Sequence, residues 1–548
     1  MPRPTAFRGV FREDLPARAV YAEAAGIARA MPTAVAVPAD ADDVAALVRW
    51  ARETATPLVP RGSGSSMAGG AIGRGVVVDL SRLDAVGEVD VARRRVRVGP
   101  GALRDAVDAA ARRHGLRFPV DPSSGRFCTV GGMASTNAAG ARTLKYGAMR
   151  PWVQSLGCVF DDGSRAVMRR GDELPTHQGI PAIARFAHRA MPSLFTAALA
   201  APVAEIRHAG VRKESSGYAL ADYAASGQLV DLLVGSEGTL ALFTELELKL
   251  APLPGATSSV LASFESLERA VAAAVTAREA GASACELLDR TFLDIAALSS
   301  APPDLPAGTE AVLLAEVEGE SAAAAGDAAR ALERAFGAHG ATRVRLALDD
   351  VSSVALWELR HAASPTLARL DPRLKSMQFI EDAAVPPARL PEYVRGVRTA
   401  LASRGIRGVI FGHAGDAHVH VNALVDVAAP GWRNEVEAVL DEITGLTAWL
   451  GGTLAGEHGD GRLRTPLLER VWRPDATVLF ELVKRSFDPA GIFNPGVKVP
   501  LRDQRPLDDV KYDPSLPPLP ESARRVLDLV ERDRAYARSR LEMLGEQG

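Results

Sequence analysis

The sequence predicts an α+β protein of more than one domain, its second half an antiparallel sheet covered by helices. Three observations predict this. A chain of 548 residues is too long for one hydrophobic core. Up to about residue 250, short apolar runs alternate with long loops rich in glycine and serine. From about residue 251, Ala-rich amphipathic helices such as 268–282 alternate with strand-like AVLLAEVEG at 311–319 and GVIFGH at 408–413, the pattern of helices packed on a sheet. The expected units are 1–250, 251–455, 456–500 and a tail, 501–548.

Hydrophobic content of 47% and charged content of 24% are those of an ordinary globular protein. A net charge of −3 gives no electrostatic case for nucleic acid or an anionic membrane. Cys128, Cys158 and Cys285 form no CxxC pair, which argues against an iron–sulfur or zinc-ribbon segment and against a disulfide framework. The start, MPRPTAFRGVFREDLP, lacks the apolar core of a signal peptide, and no run of about 18 apolar residues occurs. The expectation is a cytoplasmic protein without an integral membrane segment, peripheral attachment remaining open.

In chain order, VAV at 35–37 reads as a strand, and Asp40 caps a helix carrying Val44, Leu47, Val48 and Ala51 at helical spacing. A strand at 58–59 opens into PRGSGSSMAGGAIG, 60–73, before VVVDL at 76–80. Such a loop leaves backbone N–H groups free to form an anion-binding concavity, although a flexible linker has the same composition. It departs from the dinucleotide fingerprint, with Met67 where a third glycine belongs and a strand following instead of a helix. VRVGPG at 96–101 leads to a helix with Leu103, Val107 and Ala110 on one face and Gly115 at its end. Residues 118–147 read as a second long loop, whose small side chains let backbone approach a flat ring system. KESSGYAL at 213–220 is a third, and 232–250 reads as strand, glycine turn, strand.

The chemistry concentrates in FGHAGDAHVHVN, 411–422, and AGEHGDG, 455–461, which hold four of the ten histidines. On a strand His418, His420 and Asn422 point one way and Val419 and Val421 the other. With His413, Glu457 and His458 these groups can bind a divalent metal at an open position or move a proton; locally hydrogen-bonded histidines are the alternative. In the helical segment 354–367, Arg360 and Ser364 lie one turn apart. Arg360 suits bidentate capture of a carboxylate, or a surface ion pair. Glu381 and Asp382, before a strand-like AAV, are placed to face the same pocket.

The order PRGSGSSMAGGA, VGPGALRDAV, DPSSGRFCTVGGMASTNAAG, KESSGY, VGSEGTLALFTEL resembles the PCMH-type FAD-binding domain of the vanillyl-alcohol-oxidase-like flavoproteins. FGHAGDAHVHVN, GEHGDG and FDPAGIFNPGVK resemble their D-lactate, glycolate and D-2-hydroxyglutarate dehydrogenase branch. The likeness runs over roughly residues 20–500. It implies a two-lobed FAD-binding domain at 1–250, a substrate domain at 251–455 and a segment, 456–500, returning to the flavin domain. It implies noncovalent FAD, with Pro60, Arg61, Gly62, Ser63, Gly64, Ser65, Ser66, Ala68 and Gly69 around the diphosphate. Pro122, Ser123, Val130, Gly131, Gly132, Ser135, Asn137 and Gly140 would line the ring and linker, and Gly235, Glu237, Gly238 and Asn494 would close the site. By position His413, His420 and Glu457 resemble the ligands of one divalent metal, zinc or manganese, His458 the catalytic base, Arg360 the carboxylate clamp and Asn422 a substrate contact.

The implied activity is oxidation of a small D-2-hydroxy acid to the 2-oxo acid. Electrons would pass to a separate acceptor: an iron–sulfur protein, an electron-transfer flavoprotein or a quinone. Three positions depart from the family pattern, and a fourth, Lys375, is the nearest lysine to a place where some relatives carry one. Ser215 replaces an asparagine; Ala417 replaces a glycine; His418 replaces an asparagine and is either a fourth ligand or a hydrogen-bonding neighbour of the metal; and Lys375, expected at the surface, makes no case for a dicarboxylate substrate. A metal hydrolase using His413, His420 and Glu457, and a non-catalytic electron-transfer flavoprotein, are the competing readings. The tail reads as a Pro-rich linker, 513–522, and a helix with Val526, Leu527, Val530, Ala537 and Leu541 on one stripe, packed on its own domain or docking a partner.

Overall fold

The computed structural model describes residues 3–173, 179–194, 203–298, 304–361 and 373–546; Ser364 lies outside them. The first sheet contains β1 (Val10–Arg12), β2 (Ala34–Val37), β3 (Leu58–Arg61) and β4 (Val76–Asp79) in the order β1-β2-β4-β3, parallel except for β1 against β2. Apart from Arg12, Arg61 and Asp79 at strand ends, its strands are apolar, because both faces are covered. Ala34, Ala36, Leu58, Val76 and Val78 pack against Val44, Leu47 and Val48 of helix Ala41–Glu53, which Asp40 caps by accepting from the Asp43 N–H at 3.0 Å. Val35, Val37, Val59 and Val77 point the other way, onto Ala523, Val526 and Val530 of the tail.

The second sheet is antiparallel: β5 (Val86–Asp90), β6 (Arg95–Val98), β7 (Val153–Val159), β8 (Arg165–Arg169) and β9 (Leu242–Lys249), in the order β5-β6-β9-β7-β8. Two stretches differ from the sequence expectation. Residues 118–147 are not loop throughout: Val130–Thr136 is a helix, capped by Thr129 and ended by Asn137 in the left-handed region (φ 52°). Residues 229–233 form a helical turn, not a strand, since an apolar run this short carries no period that separates the two.

The third sheet has seven antiparallel strands, β10 (Ala256–Phe264), β11 (Ala284–Asp289), β12 (Ala311–Gly319), β13 (Arg343–Ala347), β14 (Leu374–Met377), β15 (Arg407–His413) and β16 (His418–Asp426), in the order β13-β10-β12-β11-β15-β16-β14. Helices Leu267–Glu279, Ala322–Ala338, Leu390–Ala402 and Trp432–Trp449 cover one face, in a core that includes Val260, Leu313, Ile410, Val419 and Val421. Val409 and Phe411 fall on the opposite face, with a smaller cluster around Phe292 and Leu356. That opposite face carries His420 and Asn422. AAV at 383–385 is not a strand; Ala384 makes single bridges to His418 and Thr453.

The chain then returns to its start. Ile492 and Phe493 enter the core of the first sheet, and the Leu58 N–H donates to the Ile492 carbonyl at 2.7 Å. The tail stripe is broken at Arg534 (φ 51°), so Ala537 and Leu541 do not continue helix Glu521–Asp533; a second helix spans Arg540–Gly545. No helix among the described residues is long and apolar enough to cross a membrane.

Candidate active site

The β15–β16 hairpin sets His413 opposite His418 and Phe411 opposite His420, with Glu286 of β11 beside His413. The turn between the strands needs a left-handed residue, which Ala417 supplies at φ 54° with its methyl group buried. Gly412 is required by space: a Cβ there would meet the His418 carbonyl oxygen at 2.4 Å.

His413 and His420 both direct Nε2 at Glu457 Oε1, at 3.4 and 3.3 Å. Their other nitrogens are held in place, His413 Nδ1 by the Glu286 carboxylate at 2.5 Å and His420 Nδ1 by the Glu381 carbonyl at 3.0 Å. Two imidazoles oriented through Nδ1 and converging with a carboxylate are a donor set that fits a divalent cation. These groups, with His418, lie within 4.8 Å of one another at their donor atoms. The His418 Nε2 pairs with Asp382 at 2.9 Å, its Nδ1 is buried without a hydrogen-bond partner, and burial pushes its pKa down to about 3, keeping the ring neutral.

Glu381 and Asp382 organise the second turn. The Asp382 carboxylate accepts from the N–H groups of Glu457 and His458, at 3.3 and 2.9 Å, and Glu381 Oε2 lies 2.8 Å from His458 Nδ1. Burial alone would lower the His458 pKa, but Glu381 and Asp382 raise it to about 9. Glycines make the turn possible: a Cβ at Gly456 would strike the His418 ring at 2.5 Å, and one at Gly459 the Glu237 carboxylate at 2.6 Å.

Arg360 differs from a free carboxylate clamp. Its Nε donates to Glu286 Oε2 at 2.8 Å and its guanidinium lies 4.3 Å from the Phe411 ring centre. Burial opposes ionisation of Glu286, but His413 and Arg360 hold its pKa down to about 2. Arg360 is therefore electrostatically tied to the His413 side of the cluster as well as lining the cavity. Sequence reasoning missed Glu286, Lys213 and Arg464. Lys213, almost fully buried, places Nζ 2.5 Å from Glu457 Oε2, and Arg464 pairs with Glu381. The available signals were the lysine heading KESSGY and the second arginine of the GRLR at 461–464. Lys375 is half-buried on edge strand β14, not exposed.

One cavity of about 440 Å³ joins this cluster to the glycine loops. Its walls include residues 60–66, Pro122, Ser123, Gly131, Gly132, Ser135, Glu237 and Gly238, and at the other side Arg360, His420, Asn422, Glu457 and His458. The loops press together so closely that Cβ atoms would not fit: at Gly62 one would meet Thr129 Oγ1 at 2.1 Å, and at Gly238 (φ 68°) one would meet Pro60 Cγ at 2.2 Å. Buried polar atoms without partners remain beside the cleft, among them Arg61 Nη2 and Ser66 Oγ. A cleft of this size with glycine walls and unsatisfied donors fits an anionic dinucleotide.

The remaining residues expected at the cofactor stand behind the wall. Ala68 and Gly69 give carbonyls to the Leu463 N–H and the Arg462 guanidinium. The Val130 and Gly235 N–H groups bond to Ala102 and Ala134. Asn137 accepts from the Arg150 N–H, and the Gly140 N–H donates to Thr143 Oγ1. Asn494 donates to the Gly70 and Glu237 carbonyls at 3.0 and 2.8 Å and accepts from Arg462 at 2.8 Å. With its side chain saturated by protein, Asn494 positions the loops instead of facing the cleft.

Lys498 fastens the same loops to the second turn. Fully buried, its Nζ donates to the Ser215 carbonyl at 2.7 Å and lies 3.0 Å from Asp460 Oδ2 and 3.1 Å from Glu237 Oε1. Ser215 also uses its hydroxyl, which accepts from the Gly459 N–H at 3.0 Å, so the residue replacing asparagine holds the turn directly.

Sequence comparison agrees with this architecture. Residues 32–168 match the FAD binding domain family, and residues 253–497 match the family of FAD linked oxidases, C-terminal domain. The chain is 30% identical over 481 residues to glycolate oxidase subunit GlcD of Bacillus subtilis, covering 87% of this chain and 91% of that protein. It is 31% identical over 466 residues to D-lactate dehydrogenase of Archaeoglobus fulgidus, covering 84% and 90%. Among solved structures, 4-ethylphenol oxidase from Gulosibacter chungangensis shares the fold with a TM-score of 0.66 at 16% identity, over 90% of this chain and 95% of that one. The chain is thus an FAD-linked oxidoreductase and belongs to the family of FAD-linked oxidases.

Proposed function

We propose that this chain oxidises a small D-2-hydroxy acid of the lactate, glycolate or 2-hydroxyglutarate class to the 2-oxo acid, passing electrons to an external acceptor. The observation that carries the reading is the single cavity that brings the FAD-binding loops and the His420, Glu457, His458 cluster together. The relatives named as a glycolate oxidase subunit and a D-lactate dehydrogenase give the substrate class. When bound, FAD supplies the hydride acceptor, and a divalent cation the Lewis acid that acidifies the substrate hydroxyl.

The chain's own residues do the rest. His413, His420 and Glu457 would hold the cation, zinc or manganese. His458 takes the hydroxyl proton at Nε2, because Glu381 holds Nδ1–H and fixes the tautomer. With its pKa raised to about 9 by the two carboxylates beside it, the ring accepts that proton in its neutral form, whose share grows as pH rises toward 9. Asn422 and Arg360 orient the substrate, Arg360 through whatever donors Glu286 leaves it. A metal hydrolase leaves the FAD-binding match over residues 32–168 unexplained, and a pure electron carrier leaves unexplained the histidine cluster opening into the same cavity.

Mixing the yellow holoprotein anaerobically with a panel of D- and L-2-hydroxy acids tests the proposal: D-enantiomers should bleach the flavin band. A panel in which none does so would overturn it. Chelation provides a second test. EDTA treatment followed by desalting should abolish bleaching while the flavin band stays with the protein, and added zinc or manganese should restore it. Undiminished bleaching after chelation would remove the metal from the mechanism.

A further inference from the structure

Residues 501–548 lie beyond both family matches, the later of which ends at residue 497, yet the tail reaches the cofactor cleft. Glu531, Arg534 and Tyr536 line the cavity. The Tyr536 ring lies 5.2 Å from that of Phe127, tilted by 33°, and the Arg540 guanidinium sits 5.5 Å from the Tyr536 ring centre. Arg540 is 3% exposed and donates to the Ser63 carbonyl at 3.2 Å, from behind the 60–66 loop.

Charge makes the arrangement informative. Arg61 and Arg540 are both buried, and among the described residues neither has a carboxylate at ion-pair distance; each keeps a buried nitrogen without a partner. Asp79, close enough to act on both charges, accepts the Tyr21 hydroxyl at 2.5 Å. Burial lowers the pKa of both arginines, with their mutual repulsion adding to the effect on Arg540. Buried cations without a paired carboxylate are costly, and an anion held by the loop would offset that cost. A dinucleotide whose redox ring lies beside the histidine cluster must direct its other half away from it. Leu507 and Asp513 are held by Arg433 of the substrate domain, whereas from Arg524 onward the tail touches Ser63, Phe127, Glu23 and Arg82 of the flavin-domain walls.

We propose that the C-terminal tail is a wall of the cofactor cleft that recognises the adenosine monophosphate half of FAD. Tyr536 and Arg534 face the nucleotide, and Arg540 acts as a positioning residue that adds positive charge behind the diphosphate loop. The proposal rests on the FAD reading above and concerns cofactor affinity, not turnover.

The test is equilibrium binding of FAD and of FMN, which lacks the adenosine monophosphate, to flavin-stripped protein and its variants. Tyr536→Ala should weaken FAD about tenfold, the scale of aromatic stacking on a base, with FMN affinity unchanged; Arg540→Gln should weaken FAD more than FMN, which keeps only one of the two phosphates. Arg534→Gly keeps the test open should those variants misfold, since glycine accepts the left-handed backbone at φ 51°; it too should weaken FAD alone. Glu542→Gln, at an exposed ion pair with Arg82, should change neither. FAD affinities within twofold of the parent, or equal losses for FAD and FMN, would overturn the proposal. A parent protein that binds neither flavin would instead overturn the FAD reading, and the proposal with it.

Discussion

Replacing His458 by asparagine is expected to slow anaerobic flavin reduction by about 10²-fold or more, the scale of losing a general base, while FAD stays bound. Asparagine can still hydrogen-bond Glu381, so the turn keeps its anchor through Asp382 and the 457 and 458 N–H groups. What is lost is an atom that holds a proton. Stopped-flow reduction by the best D-2-hydroxy acid from the panel measures the effect, with the flavin absorption of the desalted variant as the control for cofactor content. A rate within threefold of the parent would take His458 out of the proton step. Glu381→Gln offers a companion: with one carboxylate fewer beside the ring, the His458 pKa falls from about 9, and the pH at which reduction reaches its full rate should move down.

Lys498→Met is expected to destabilise the fold by about 3–5 kcal/mol, the usual cost of removing one member of a buried ion group. Glu237 and Asp460 would be left facing each other in the protein interior with only N–H and hydroxyl partners. Burial already raises the Glu237 pKa, with Lys498 the largest influence against it. Without the lysine that value rises further. A group whose folded-state pKa is raised contributes stability at low pH that is lost as pH climbs through the folded value. The deficit in the variant should therefore grow from pH 5 to pH 8. Urea midpoints for parent and variant at both pH values measure it; a loss below 1 kcal/mol, or one that shrinks as pH rises, would show that Lys498 does not neutralise this cluster.

Much of the site was legible because its chemistry is carried by short, contiguous stretches. Alternation along 418–422 correctly separated His418, His420 and Asn422 from Val419 and Val421, since a strand has a period of two. Glycine-rich stretches marked where the backbone passes another side chain too closely for a Cβ, as at Gly62, Gly456 and Gly459. What could not be read was pairing across distance. Nothing near Glu286 says that β11 will lie beside His413, and nothing near Arg360 says that its partner is a glutamate 74 residues earlier. Arg360 could be read as a carboxylate binder, but not as one already committed to Glu286. Lys213 and Arg464 were hidden for the same reason. The tail was read as one helical stripe because its apolar spacing continues through Arg534, where the backbone itself turns left-handed. Residues 229–233 fell to the ambiguity of a short apolar run, in which strand and helix bury the same side chains.

The fastening at Lys498 also constrains biosynthesis. It joins residues 215, 237, 460 and 498 at one point, and strand β3 is bonded to residues 492–494, more than 430 positions downstream. A nascent chain emerging from the ribosome can form the first two sheets locally, but it lacks the clasp that sets the cofactor loops against the second histidine turn. Contacts of such long sequence separation form late because loop closure must precede them. Cofactor loading is therefore expected to follow synthesis of residue 498, and fragments ending before it should be poor starting points for reconstituting a flavin-binding half.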